Sequence, residues 1–262
     1  MKTVVCVKQV PAISEVSIDP ETKRLKREGI ESGLNPFDLY AIEEALRLRE
    51  KNGGEVVILS MGPKQAEKSV REPLSMGADE GILLTDRAFA GSDTWATSYV
   101  LMKAIEKIGD VDLVLCGKQA VDGDTAQVGP GIAAHLDWAH VTYVFEFMES
   151  DNKQAVVKRM HEDGHSEIEM QYPAVVTVVK DINYPRVPTL KGCLRSRALE
   201  VQLWTAEDIG ADEACIGLDG SPTRVVKTEP PPPREGETVV LDKSPEESAK
   251  RIVHDLRMQS LV

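Results

Sequence analysis

Asp112-Leu113-Val114-Leu115-Cys116-Gly117-Lys118-Gln119-Ala120-Val121-Asp122-Gly123-Asp124-Thr125-Ala126-Gln127-Val128-Gly129-Pro130-Gly131 is the stretch that decides the fold. An apolar run of strand length ends near Cys116. A polar, glycine-rich loop follows and passes into Ile132-Ala133-Ala134-His135-Leu136, which continues as helix. In an α/β sheet, ligands bind at such a strand-to-helix turn, outside the carboxyl ends of the strands. Gly117, Gly123, Gly129 and Gly131 would let backbone approach a ligand closely, and free N–H groups at the helix start favour a phosphate. Asp122 and Asp124 fit a simple anion cage poorly and point to hydroxyl or amide contacts, or to capping. The same residues also make an ordinary βα loop, and loop chemistry alone does not choose between the two.

Outward from this loop the chain alternates strand and helix. Thr3-Val4-Val5-Cys6-Val7 reads as a buried first strand and Lys8-Gln9-Val10-Pro11 as the turn after it. Residues 18–25 suggest a small hairpin turning at Asp19-Pro20. Asn35-Pro36-Phe37-Asp38 is a helix start: Asn35 as cap, Pro36 at the first helical position, Asp38 where a capping-box acid stands. Leu39, Ile42 and Leu46 recur at helical spacing with Glu43 and Glu44 outward, and Gly53-Gly54 ends the helix. A strand at 55–61, a helix from Gly62-Pro63 to Met76-Gly77, a strand at 81–84 and a helix over 94–108 capped by Asp93 complete the lead-in. The pattern predicts a doubly wound, mainly parallel α/β sheet. After Trp138 four strand-like runs (141–147, 155–159, 167–172 and 174–179) predict an antiparallel extension of that sheet.

Residues 181–197 read as an irregular surface segment rich in Pro, Lys and Arg. In an acidic protein, a basic loop that displays Leu190 and Leu194 is a candidate docking surface; a solvated loop with incidental apolar anchors is the plainer reading. Glu229-Pro230-Pro231-Pro232-Pro233-Arg234 is a stiff linker. Beyond it Ser244-Pro245-Glu246-Glu247 is a capping box, and Ala249, Ile252, Val253 and Leu256 form one apolar stripe. The expected division is a body over 1–228 and an arm over 229–262. The arm helix either folds back or reaches a partner, and sequence physics slightly favours folding back.

Composition removes several function classes. The 262 residues carry a net charge of -12, which disfavours nucleic acid as partner. Aromatic content of 5% supplies few stacking platforms for single strands. No run is long and apolar enough to span a membrane, and the N-terminus reads as a strand start instead of a signal peptide, so a cytoplasmic protein without membrane insertion is expected. The four cysteines form no CxxC pair, which disfavours a metal site and fits reduced thiols. The five histidines fall in no catalytic constellation.

Taken together, the chain resembles the beta (small) subunits of electron-transfer flavoproteins over nearly its whole length. The resemblance rests on Val7-Lys8-Gln9-Val10-Pro11, Asn35-Pro36-Phe37-Asp38, Met76-Gly77-Ala78-Asp79, Gly117-Lys118-Gln119-Ala120 continuing into Asp122-Gly123-Asp124-Thr125-Ala126-Gln127, Tyr172-Pro173-Ala174-Val175-Val176-Thr177, and the Thr189-Leu190 loop. It implies a heterodimer with a larger alpha subunit that holds one FAD, and an adenine nucleotide bound by this chain at its strand ends. That nucleotide is AMP in housekeeping members and a second FAD in electron-bifurcating ones. In AMP-binding relatives an acid typically stands in the place of Gly123 and the Gly129-Pro130 pair is absent, so FAD is expected here, with AMP as the alternative.

By the same resemblance, Cys6, Asn35, Pro36, Phe37, Asp38, Met61, and Gly117, Lys118, Gln119, Ala120, Val121, Asp122, Gly123, Asp124, Thr125, Ala126, Gln127 and Val128 would line the nucleotide. Asp93 and Thr94, another helix start at the same edge, join them. Without the family, Cys6 and Met61 read as core and Asn35 and Asp38 as caps. Leu190 matches the family's leucine anchor for a dehydrogenase, with Leu194 and Arg195 beside it. Relatives often carry lysines where Arg195 and Ala198 stand, and a glutamate known in the family has no match near Arg159, where Met160 lies. The resemblance also implies that the arm crosses to the alpha subunit. It implies that NADH gives a hydride to the FAD held here. One electron then passes to the alpha-subunit FAD and a flavin-dependent dehydrogenase of acyl-CoA, enoyl-CoA or lactate type, the other to ferredoxin or flavodoxin. No residue of this chain is expected to be a catalytic nucleophile or base. A stand-alone adenine-nucleotide sensor or ATP-using enzyme and a nucleotide-free interaction subunit are the competing readings.

Overall fold

The first strand, β1 (Lys2–Val7), is apolar on both faces because both are covered. Val4 and Val5 have no exposed surface, and burying each such side chain stabilises the fold by about 1.5–3 kcal/mol. The computed structural model describes residues 1–11, 32–227, 239–242 and 244–261. The hairpin read at 18–25 and the linker read at 229–234 lie outside the described residues.

After β1 come β2 (Gln9–Pro11), β3 (Ser32–Leu34), α1 (Pro36–Asn52), β4 (Glu55–Met61), α2 (Glu67–Met76), β5 (Glu80–Leu84), α3 (Thr94–Ile108), β6 (Leu113–Gly117) and α4 (Val128–Leu136). Then follow β7 (Ala139–Ser150), β8 (Gln154–His161), β9 (Gly164–Gln171), β10 (Ala174–Val178), α5 (Leu190–Ala198), β11 (Val201–Trp204) and α6 (Pro245–Met258). The main sheet has nine strands in the order β11-β5-β4-β1-β6-β10-β7-β8-β9. All pairs from β11 to β7 are parallel, and β7-β8-β9 is an antiparallel meander. Chain order runs outward from β1 on one side through β4 and β5, then restarts on its other side with β6. The switch point therefore falls between β1 and β6, where ligands bind in open α/β sheets.

Two buried layers flank the sheet. Ile42 and Leu46 of α1 and Val70 and Leu74 of α2 fill one face; Val100 and Ile105 of α3 and Ile132 of α4 fill the other. The doubly wound, mainly parallel architecture is thus as expected, with four corrections. The run at 174–179 does not extend the meander: β10 inserts between β6 and β7, parallel to both, because its all-apolar sequence suits a strand covered on two faces. Lys8-Gln9-Val10-Pro11 is not simply a turn, since Gln9–Pro11 pairs antiparallel with Ser32–Leu34. The segment 181–197 is not irregular throughout, because α5 occupies its second half. Glu43 and Glu44 do not face outward: they are 6% and 5% exposed, covered by the chain at Asn183 and Arg186.

Residues Met1–Arg224 form one compact unit and Val225–Val262 a second. Within the second, Ser244 Oγ accepts from Glu247 N–H at 3.3 Å, which realises the predicted helix start of α6. Arg251 and Asp255 pair along the helix at 2.8 Å. Among the described residues no helix is long and apolar enough to cross a membrane.

Candidate functional site

A cavity of about 340 Å³ opens at the switch point, in the lower part of the size range usual for small-molecule sites, roughly 300–1,000 Å³. Its walls come from the carboxyl ends of β1 (Cys6, Val7, Lys8), β4 (Met61) and β6 (Cys116, Gly117), from the 92–94 turn, and from the loop into α4. Cys6 and Cys116 stand in register on adjacent strands. The hydrogen bond to Cys6, together with burial, pushes the Cys116 thiol well above its ordinary value, so this wall is neutral and soft.

The loop is pinned from behind. Asn35, fully buried, donates from Nδ2 to Gln119 O and Asp38 Oδ1, both at 2.9 Å, and its Oδ1 accepts from Val121 N–H at 3.1 Å. Its side chain caps nothing in α1, so the capping role read from sequence is replaced by a clamp on the loop. Asp38 likewise turns away from a capping box. Its Oδ2 accepts from Lys8 N–H at 2.8 Å, and it sits against Gly117. Burial pushes its carboxyl up to about 7, against the pull of the Asn35 amide and the Lys8 and Gly117 N–H groups.

The two loop aspartates are also accounted for. Asp122 pairs with Lys8 Nζ at 2.8 Å, and Asp124 accepts from Gln119 Nε2. Neither lines the cavity; Gly123 between them does. Asp124 and Ala126 take left-handed backbone angles, φ 53 and 54. The N–H groups of Thr125, Ala126, Gln127 and Val128 find no acceptor among the described residues. Free N–H groups in a strained turn at the start of a helix make an anion-binding nest.

Glycine at these positions serves different ends. A Cβ on Gly117 would lie 2.5 Å from Asp38 Oδ1 and 2.7 Å from the Phe37 carbonyl carbon, and one on Gly129 would meet Thr177 at 2.6 Å. Those glycines serve protein packing, as does Gly131 against Ser98. A Cβ on Gly123 would meet nothing within 4 Å.

The structure brings Cys6, Asp38, Met61, Asp93, Thr94, Gly117, Lys118, Gln119, Ala120, Gly123, Thr125, Ala126, Gln127 and Val128 to the cavity. Asn35, Pro36, Phe37, Val121, Asp122 and Asp124 do not line it; Asn35 clamps the loop from behind, Phe37 packs against Gly117, and Asp122 and Asp124 tie the loop to Lys8 and Gln119. Asp93 caps α3 with Oδ1, at 3.0 Å from Trp95 N, and Oδ2 accepts from Thr223 N–H and Oγ1–H. Thr94 Oγ1 donates to Gln127 Oε1 at 3.0 Å and ties the loop to α3. Sequence reasoning missed Val7, Lys8, Ser92, Thr97, Leu101 and Cys116, while Gly129, read as a point of close backbone approach, does line the cavity. Thr97 and Leu101 follow Thr94 at helical spacing, a signal that was present.

The residues expected to dock a partner lie elsewhere. Leu190 and Leu194, one turn apart on α5, are 79% and 57% exposed. Arg195 is turned to the fold: its Nη2 donates to Leu74 O at 3.1 Å and to Ala78 O, at the end of α2.

The family described as electron transfer flavoprotein domain matches residues 22–209. The electron transfer flavoprotein subunit beta of Thermoanaerobacterium thermosaccharolyticum is 53% identical over 88% of each chain. The caffeyl-CoA reductase-Etf complex subunit CarD of Acetobacterium woodii is 45% identical over 100% of both. Protein FixA of Sinorhizobium fredii is 44% identical over 92% of this chain and 87% of its own.

Proposed function

The chain belongs to the electron transfer flavoprotein family, as a beta-type subunit, and from that premise we propose that it binds the adenylate half of an FAD in the switch-point cavity and works in electron bifurcation. The observation that carries this reading is Gly123. No backbone angle or neighbour demands glycine there, so the chain's own packing does not account for it, and the bare position leaves open space at the cavity edge that an acidic side chain would take from a second phosphate. The free N–H groups from Thr125 to Val128 would hold the pyrophosphate, and Lys8 keeps Asp122 neutralised beside it. Cys6 and Met61 offer soft walls to the adenine, and the amide clamp of Asn35 fixes the loop before the ligand arrives.

FAD bound here supplies a two-electron acceptor able to pass electrons on singly, and the protein's part is position and electrostatics. In this reading NADH is the donor, and the acceptors are the FAD of an alpha subunit serving a flavin-dependent dehydrogenase, and ferredoxin or flavodoxin. The arm carrying α6 reaches the alpha subunit, and Leu190 and Leu194 anchor the dehydrogenase. The name of the Acetobacterium relative, a subunit of a caffeyl-CoA reductase complex, favours an acyl-CoA or enoyl-CoA dehydrogenase over the lactate type. The complex works in the cytoplasm.

The alternative is a non-bifurcating subunit holding AMP, which a cavity of about 340 Å³ would also seat. Flavin content of the purified heterodimer separates them. The expected result is two FAD per heterodimer, with Gly123→Glu keeping the fold, losing one FAD and retaining AMP. One FAD plus AMP in the wild type, or no NADH-dependent ferredoxin reduction, refutes the bifurcating reading.

A further inference from the structure

The exposed anchors of the docking segment do not stand on a free loop. Asn183 Nδ2 donates to Tyr40 O and to Glu44 Oε2, both at 3.0 Å. Three residues on, the Arg186 guanidinium closes a fork onto α1: Nε to Glu43 Oε2 at 2.8 Å, Nη2 to Glu43 Oε1 at 3.0 Å, and Nη1 to Glu50 Oε1 at 2.5 Å. The backbone N–H of Arg186 adds a bond to Glu43 Oε2 at 3.0 Å. A planar fork satisfied on two carboxylates fixes direction as well as distance, which an ammonium on a flexible stem would not.

The ties are placed where they control the exposed groups. Tyr184, 96% exposed, lies between Asn183 and Arg186. Val187 follows Arg186 directly, and Leu190 comes three residues later, before Arg195 ties α5 to the end of α2. Pro185 and Pro188 flank the fork and restrict the backbone on both sides of it. Leu190 is therefore suspended between two arginines, one gripping α1 and one gripping α2.

We propose that Arg186 is a positioning residue for docking: its fork onto Glu43 and Glu50 sets where Leu190 and Leu194 stand, so that the redox partner meets its anchors already in place. The inference rests on the reading of Leu190 as a docking anchor. A pre-set anchor spares the ordering cost of binding, and that saving appears in affinity and not in the electron-transfer step itself.

Removing the fork alone strands the buried Glu43 carboxylate, so Arg186→Met loses stability for a reason unrelated to docking. The double variant R186M/E43Q removes the stranded charge and separates the two effects. The experiment uses the full heterodimer as the varied substrate of a butyryl-CoA dehydrogenase and, in parallel, a flavin-dependent lactate dehydrogenase. Steady-state electron transfer, urea unfolding and flavin content are all measured.

The expected result with the dehydrogenase that the wild type accepts is a KM raised about tenfold by R186M, with kcat kept within about twofold. R186M/E43Q regains most of the unfolding midpoint and keeps the raised KM. Arg186→Lys, which keeps the charge without the fork, falls between. Leu190→Ala raises KM to a similar extent. If Leu190→Ala leaves KM unchanged with both dehydrogenases, the docking reading falls and this inference with it. If Leu190→Ala raises KM while R186M/E43Q does not, Arg186 is a structural tie only and the inference is overturned. Loss of flavin from R186M/E43Q overturns it as well.

Discussion

Asp38 sits at the junction of nearly everything the site does. It touches the cavity, receives the N–H of Lys8, the residue just after β1, and bears on Gly117 and Asn35. Burial lifts its carboxyl from 3.8 to about 7, so the folded chain keeps a proton there that the unfolded chain has already lost. Between about pH 4 and pH 7 the native state binds more protons than the unfolded state, and linkage makes stability fall as pH rises. The contribution is fully present below the unfolded value, is lost progressively up to the folded one, and is flat above it. The slope it adds is at most about 1.4 kcal/mol per pH unit. Asp38→Asn cannot titrate, so the difference in urea unfolding free energy between wild type and D38N should change steadily from pH 4.5 to 7 and level off beyond. Parallel stability curves across that range would remove the buried-proton account.

At the scale of elements, what the sequence made legible follows from periodicity, and what it hid follows from contacts. Near-continuous apolar runs marked β1, β4 and β6, because strands covered on both faces need no polar alternation. The all-apolar run at 174–178 fits the same rule, yet it was read with its neighbours as part of the antiparallel extension. Nothing local shows that β10 returns to lie between β6 and β7. Glu43 and Glu44 looked solvated because the arginine and asparagine that cover them lie about 140 residues later. The site loop was readable in full as a stretch, yet the division of its residues into lining and support needed the Asn35 clamp and the Lys8–Asp122 pair to be seen. α5 was hidden by its Pro-rich approach and basic composition. Of its cations, Arg195 caps α2, while Lys191 and Arg197 remain without partners among the described residues. What seats α5 is Gly192, where a Cβ would come within 2.1 Å of Ser75 O in α2. Gly192→Ala should therefore push α5 off α2 at a cost of about 1–3 kcal/mol, seen as a lower urea midpoint and faster hydrogen exchange in α5. An unchanged midpoint with unchanged exchange would show that α5 is not seated through this glycine.

At the scale of the molecule, the chain divides into a compact unit ending at Arg224 and a second unit that carries α6. Among the described residues, those that line the cavity and those that hold the segment proposed for docking belong to the first unit, from Cys6 to the Thr223 bonds on Asp93. α6 has a sound helix start and a two-signed polar face, yet none of its side chains is buried and Ile252 and Val253 are exposed. An amphipathic helix with an uncovered apolar face gains most of its stability from whatever covers that face. In the proposed heterodimer that cover is the alpha subunit. A chain ending at Lys227 should then unfold at the same urea concentration as the full chain and bind AMP and FAD with unchanged affinity, because no site residue is removed. It should lose assembly with the alpha subunit by at least about tenfold in affinity, as expected when a buried apolar anchor is deleted from an interface. Size-exclusion chromatography and titration of the separated subunits give the comparison. A shortened chain that still assembles with full affinity would show that the arm is not the alpha-subunit contact. One that unfolds early or loses the nucleotide would show that the first unit depends on the second for its own stability.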